Sequence, residues 1–192
     1  DSQLWLTFTF SGKFTNNLSA SIYENIRLGD DAKDFYYSET AILLDWTPRP
    51  WLTLGAGYTE AKNKKTKTLY DASGAEVLDE YWEYEHQPNV SVTFKGAFSG
   101  WKLDDRTRVE YRMKENTQDY FRYRNRIRLI SPWKWTALKI NPRTYYELNL
   151  SDLPNDVDWE FDRQRFYIGA TLSLLNHING ELYYLKQLDW TG

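Results

Sequence analysis

Hydrophobic and polar residues alternate along most of this chain. In FRYRNRIRLI, residues 121–130, arginine stands at 122, 124, 126 and 128, with Phe121, Tyr123, Asn125, Ile127 and Leu129 between them. Successive side chains of a strand point to opposite faces, so a period of two predicts β-structure. Leu52, Leu54, Ala56 and Tyr58 alternate in the same way with Thr53, Gly55, Gly57 and Thr59. Val109, Tyr111 and Met113 alternate with Arg108, Glu110, Arg112 and Lys114, and Phe166, Ile168, Ala170 and Leu172 with Arg165, Tyr167, Gly169 and Thr171. Ten strands are predicted, over 3–11, 18–28, 36–46, 52–64, 76–98, 101–114, 120–130, 138–150, 160–174 and 181–189. Gly and Pro mark their ends, and no segment has a helical period. Glu24 and Lys186 fall on the apolar side of this pattern.

Alternation alone has two solutions. A soluble sandwich turns its apolar face inward. A transmembrane barrel turns it to lipid and its polar face to the lumen. The connections favour the second. Short turns, SGKFTNN, TPRP, GAFSG, SPWKWTA and LNHING, alternate with LGDDAKD, the excursion KNKKTKTLYDASG, the brief ENTQD and SDLPNDVD. Outer-membrane barrels have short turns at one end and longer loops at the other.

The tryptophans point the same way. Trp46, Trp51, Trp101, Trp133 and Trp135 stand beside short turns, whereas Trp5, Trp82, Trp159 and Trp190 fall toward the other strand ends. Two aromatic belts a strand length apart match the girdles at membrane interfaces. The predicted fold is therefore all-β, an antiparallel up-and-down transmembrane barrel of ten visible strands. It forms one domain over residues 1–192. Both ends of the strand pattern fall on the long-loop side, so terminal segments are expected beyond the chain and the barrel would hold ten to twelve strands. No signal peptide is read at Asp1-Ser2, so if the protein is exported the sequence is expected to be its mature chain.

In that arrangement the arginine row faces the lumen. Arg122, Arg124, Arg126 and Arg128 are expected opposite or diagonal to Arg108, Glu110 and Arg112, with Arg143, Glu147, Arg163, Arg165 and Glu181 on later strands. Arg27, Glu39 and Asp45 add charges from earlier ones. Interleaved carboxylates make such a row tolerable through charge-assisted pairs. Cysteine is absent and the net charge is −3, so disulfides and a global basic field for nucleic acid are excluded. No apolar run approaches the roughly 18 residues of a membrane helix.

The segments WLTFTFSGKFTNNLSASIYENIRLGDDAKDFYYSETAILLDWTPRPWLTLGAGY and FRYRNRIRL resemble the bacterial family of domain of unknown function 2490. The likeness lies in the basic and polar first turn, the strand ending near Arg27, a tyrosine-rich strand, Pro50-Trp51, the Leu52 to Tyr58 strand and the arginine-rich strand. It implies an outer-membrane β-barrel and carries no catalytic residues and no substrate. Barrels of this kind commonly end on an aromatic residue; this sequence stops at Trp190-Thr191-Gly192.

Chemistry is sparse. His86 and His177 are far apart in sequence, and no serine or carboxylate spacing nominates a hydrolase, so the chain is not expected to be an enzyme. Asp79, Glu80, Glu83 and Glu85 with Asp30, Asp31 and Asp34 could present oxygens to a divalent cation, but no metal-binding loop consensus is present, and they read as a solvated acidic rim. KNKKTK reads as a solvated loop tip, with lipopolysaccharide phosphates as its functional alternative. Neither metal nor cofactor is expected. The expected location is the bacterial outer membrane, with lipids and lipopolysaccharide as surroundings and membrane protein complexes as partners, and no nucleic acid. The leading reading is a narrow porin-like channel or structural barrel, passing small anions or acidic oligosaccharides along its arginines. A scaffold subunit of a larger assembly, a lipid-modifying enzyme and a soluble lipocalin-like module are the alternatives.

Overall fold

The computed structural model describes residues 4–31, 33–70, 76–115, 117–136, 139–152, 160–175 and 178–190. It contains ten strands: β1 Leu4–Lys13, β2 Leu18–Gly29, β3 Asp34–Arg49, β4 Leu52–Tyr70, β5 Glu76–Phe98, β6 Trp101–Lys114, β7 Tyr120–Ile130, β8 Asn141–Asp152, β9 Glu160–Leu175 and β10 Ile178–Asp189. They form one sheet in chain order, β1 to β10. The pairs β1–β2, β7–β8, β8–β9 and β9–β10 are antiparallel. The strands expected over 76–98, 101–114 and 120–130 have those bounds.

Several expectations change, among them the end of β3, which runs through most of TPRP to Arg49. KNKKTK is no loop tip: β4 runs through it to Tyr70. Beyond a given height a strand needs ladder hydrogen bonds but no apolar face, so a charged run is compatible with β-structure. The strand expected from residue 138 begins at Asn141. Thr136 and Lys139 have φ of 63° and 50°, outside the β region, and a bridge between Trp135 and Ile140 closes the turn they make. Part of LNHING belongs to β10, which starts at Ile178. His177, Trp159 and most of SDLPNDVD lie outside the described residues. Between β5 and β6 the turn is Ser99-Gly100, with φ of 47° and 81°. Two positive φ angles in a two-residue loop give the hairpin turn whose twist suits antiparallel strands.

The chain forms two compact units. One comprises Asp1–Asp45, Ala56–Asn89 and Tyr111–Tyr120; the other comprises Trp46–Gly55, Val90–Glu110 and Phe121–Gly192. In the first unit the β1–β2 register sets Trp5 opposite Arg27, Thr7 opposite Asn25 and Phe8 opposite Glu24. Phe8, Phe10 and Ile22 are exposed, and so are Ile42, Leu44 and Tyr58. Thr59, Glu83, Glu85, Gln87 and Asn89 are buried. Glu24 is an exception on the exposed apolar face, as its sequence position predicts. Its carboxylate accepts hydrogen bonds from Ser38 (2.9 Å) and Thr40, which hold the charge in place.

The second unit follows the same rule. Val90, Phe94, Phe121, Ile127 and Phe166 are exposed, and Ile168 and Leu182 keep 68% and 74% of their surface. Asp104, Arg108, Glu110, Glu147, Asn149, Ser151 and Arg165 are buried. The bulkiest fully buried side chains of the described residues are Glu85, Glu110, Thr59 and Ser151. This is the reverse of a water-soluble sandwich, in which the apolar face is covered.

Candidate functional site

The buried polar face of the second unit is built on β6 to β10. Its register follows from side-chain bonds and strand pairing. Arg122 Nε donates to Glu110 Oε2 (2.7 Å), Asn125 Nδ2 to Thr107 Oγ1 (3.2 Å) and Arg128 Nε to Asp104 Oδ2 (2.9 Å). Each of these β6–β7 pairs has residue numbers adding to the same total, as antiparallel partners do. The series sets Arg124 opposite Arg108 and Arg126 opposite Arg106. On the other side, β8 sets Glu147 opposite Arg126, Asn149 opposite Arg124 and Tyr145 opposite Arg128. Further along, Arg165 on β9 is opposite Glu147 and Arg163 is opposite Asn149.

Two carboxylates organise these arginines. Glu110, 1% exposed, accepts from Arg122 and from Arg124 Nη1 (2.8 Å), with Arg108 Nη1 at 3.6 Å. Glu147, 3% exposed, accepts from Arg124 Nη2 at 3.0 Å on both oxygens and from Arg165 Nη1 at 3.2 Å. Arg124 therefore bridges two buried carboxylates on two different strands. Arg165 Nε continues the chain to Gln187 on β10 (2.8 Å). Arg128 pairs with Asp104, Arg163 with Asp189, and Arg143 with Glu181 at 3.6 Å. Low local dielectric strengthens such contacts and penalises any charge left over.

The first unit carries a smaller set. Arg112 forks onto Glu85 and also donates to the Tyr120 hydroxyl (2.6 Å), and Gln87 donates to Glu85 (2.9 Å). Arg27 lies between the rings of Trp5 and Tyr37, 3.9 and 4.0 Å from their centroids, with Glu39 at 3.9 Å. Trp5, expected in an interfacial belt, thus stands on the polar face as a stacking partner for Arg27. Glu39 is held by Arg27, Tyr23 and Tyr37 within its own unit.

Of the twelve residues expected to line a lumen, eleven form ion pairs, Arg112 within the first unit and the others within the second; Arg126 has no carboxylate within ion-pair distance among the described residues. Asp104 and Arg106 in the second unit were not foreseen as partners of these arginines, and Glu85 in the first was expected only in an acidic rim. They share the strand parity of Arg108 and Gln87, which was the signal available. Of the acidic residues read as a solvated rim, Asp34 and Glu80 meet at Lys64 (3.0 and 2.7 Å), whereas Glu83 and Glu85 are buried and Glu85 binds Arg112. His86 accepts or donates at Tyr58 Oη (2.7 Å) and stands 3.9 Å from Glu60; among the described residues no serine hydrogen-bonds to it.

The tryptophans beside the short turns are surface residues. Trp46, Trp51, Trp133 and Trp135 are each about half exposed, Trp101 stacks edge-on against Trp133 at 5.1 Å, and Trp51 lies parallel to Phe94 at 6.3 Å.

An up-and-down antiparallel sheet with charges buried on one face and apolar side chains exposed on the other defines the class: an all-β protein built on a ten-stranded meander. The β domain of the Bordetella autotransporter BrkA is similar to this chain with a TM-score of 0.56 at 10% identity, covering 97% of this chain and 84% of that one. The chain belongs to the DUF2490 family of proteins of unknown function, whose model matches residues 2–191. No curated protein sequence matches it.

Proposed function

We propose that this protein is a small outer-membrane β-barrel whose charged face lines a narrow interior. One observation carries the reading: the described strands bury carboxylates and arginines while exposing large apolar side chains such as Ile168, Leu182 and Phe10. Water penalises that arrangement, and lipid favours it. The β domain of an autotransporter is a compatible relative in fold. With ten to twelve strands the interior is narrow, because eight strands are just filled by side chains while sixteen leave an aqueous channel. The nearly complete pairing of Glu110, Glu147, Asp104 and Glu181 with arginines fills much of it. The protein is thus a structural or narrow, anion-preferring barrel, not a wide pore.

The test is extraction and electrophoresis. The protein should partition with membranes, require detergent, and migrate faster unboiled than boiled. A chain that stays monomeric in plain buffer overturns the reading.

A further inference from the structure

The charged face of the second unit does not balance. Asp104, Glu110, Glu147, Glu181 and Asp189 each pair with at least one arginine of this face, whose arginines are 106, 108, 122, 124, 126, 128, 143, 163 and 165. Five ion-paired carboxylates thus meet nine arginines, and the excess is localised. Arg108 and Arg124 oppose each other but share Glu110. Arg106 and Arg126 also oppose each other, and neither has a carboxylate within ion-pair distance among the described residues. Like charges directly opposite destabilise a sheet, with Cβ atoms about 4.5–5.5 Å apart.

Arg126 shows how this pair is left over. Glu147 faces it across β7–β8, yet that carboxylate is engaged by Arg124 and Arg165. The Arg126 guanidinium instead lies over the Tyr145 ring, 5.7 Å from its centroid, and its Nε is buried without a hydrogen-bond acceptor. Arg108 Nε, one strand position away, is likewise buried without an acceptor. Buried donors in native proteins have acceptors, and guanidinium groups present a planar fork that fits an oxyanion with two parallel bonds.

We propose that Arg106 and Arg126, with Arg108 beside them, form a binding site for a compact oxyanion: a phosphate, a sulfate or the carboxylate of a small acidic solute. Tyr145 holds the Arg126 guanidinium by its face, leaving its N–H edges for the ligand. The anion neutralises the opposed pair and supplies the acceptors that the protein withholds.

Inorganic phosphate is the probe. Purified protein in neutral detergent is titrated with sodium phosphate and, at equal ionic strength, with sodium chloride; calorimetry reads binding and tryptophan fluorescence reads the thermal midpoint. Phosphate should bind and raise the midpoint where chloride does not. Arg106→Gln and Arg126→Gln should each weaken binding by about tenfold or more and remove most of the phosphate-specific shift. In phosphate-free buffer the same variants should match or exceed the wild-type midpoint, since they remove a repulsion. Arg163→Gln, at the arginine paired with Asp189, should leave the phosphate response intact. Equal responses to phosphate and chloride in the wild-type protein overturn the proposal, whether or not the variants fold. So does a variant that loses stability equally in both buffers. The site depends on strand register, not on membrane insertion. A water-soluble chain that answered to phosphate would overturn the barrel reading and keep the site.

Discussion

Arg124 reaches Glu110 diagonally, its Nη1 2.8 Å from Oε1, although Arg108 is the residue straight across from it. The diagonal frees Nη2 for Glu147, so one guanidinium ties β6, β7 and β8 together.

That arrangement predicts strong asymmetry between single and double substitutions. Arg124→Ala leaves two buried carboxylates short of a partner and should cost about 3–5 kcal/mol. Replacing Glu110 by Gln and Arg124 by Ala together should cost less than the sum of the two single changes, because each removes a charge that the other would strand. Denaturant unfolding of the four proteins in one detergent measures the coupling. Simple additivity would show that Arg124 and Glu110 act independently.

Ile168 separates the environments of the apolar face. It is 68% exposed and lies opposite Tyr184 and Thr144 on neighbouring strands. Ile168→Arg should destabilise the protein in lipid by about 2–4 kcal/mol, the cost of a cation on the lipid face near mid-membrane. At an exposed position in water the same change would be worth under about 0.5 kcal/mol. Refolding into vesicles of one composition, with and without the substitution, decides between the two.

The strands were legible because alternation is strict where one face is apolar and the other charged. Legibility ended where a second signal was needed. Asp104 and Asp105 are adjacent carboxylates, so residue type alone does not say which of them faces the arginines; only counting by twos from Arg108 assigns Asp104 and Arg106 to that face. The structure resolves this: Asp104 binds Arg128 on the polar face, while Asp105 accepts from Asn125 (2.7 Å) among the apolar side chains. The charged end of β4 was misread because loops and exposed strand ends share a composition. Which arginine lacks a carboxylate could not be read at all, because it depends on diagonal choices such as that of Arg124.

The tryptophans beside the short turns give an independent depth marker. Trp46, Trp51, Trp133 and Trp135 are exposed on the protein surface. In vesicles their fluorescence should be quenched most by lipids brominated near the headgroup and least by lipids brominated at the chain end, as for an interfacial girdle. Keeping these four and replacing the other tryptophans by Phe should preserve that depth dependence. Equal quenching at all depths would dissociate these residues from an interface.

Gly169 and Gly96 make opposite predictions from the same substitution. A Cβ on Gly169 would fall 2.2 Å from the Leu182 carbonyl oxygen and 2.7 Å from Tyr183 Cα, both backbone atoms of the paired strand. That contact cannot be relieved by rotating a side chain, so β9 and β10 must separate locally. Overpacking of this kind costs about 1–3 kcal/mol. A Cβ on Gly96 would meet nothing within 4 Å. Gly96→Ala removes only unfolded-state freedom and should stabilise by about 0.4–1 kcal/mol. Unfolding midpoints of the two variants should therefore move in opposite directions from the parent. A Gly169→Ala protein at or above the parental midpoint would mean that β9 and β10 do not approach as closely as their register requires.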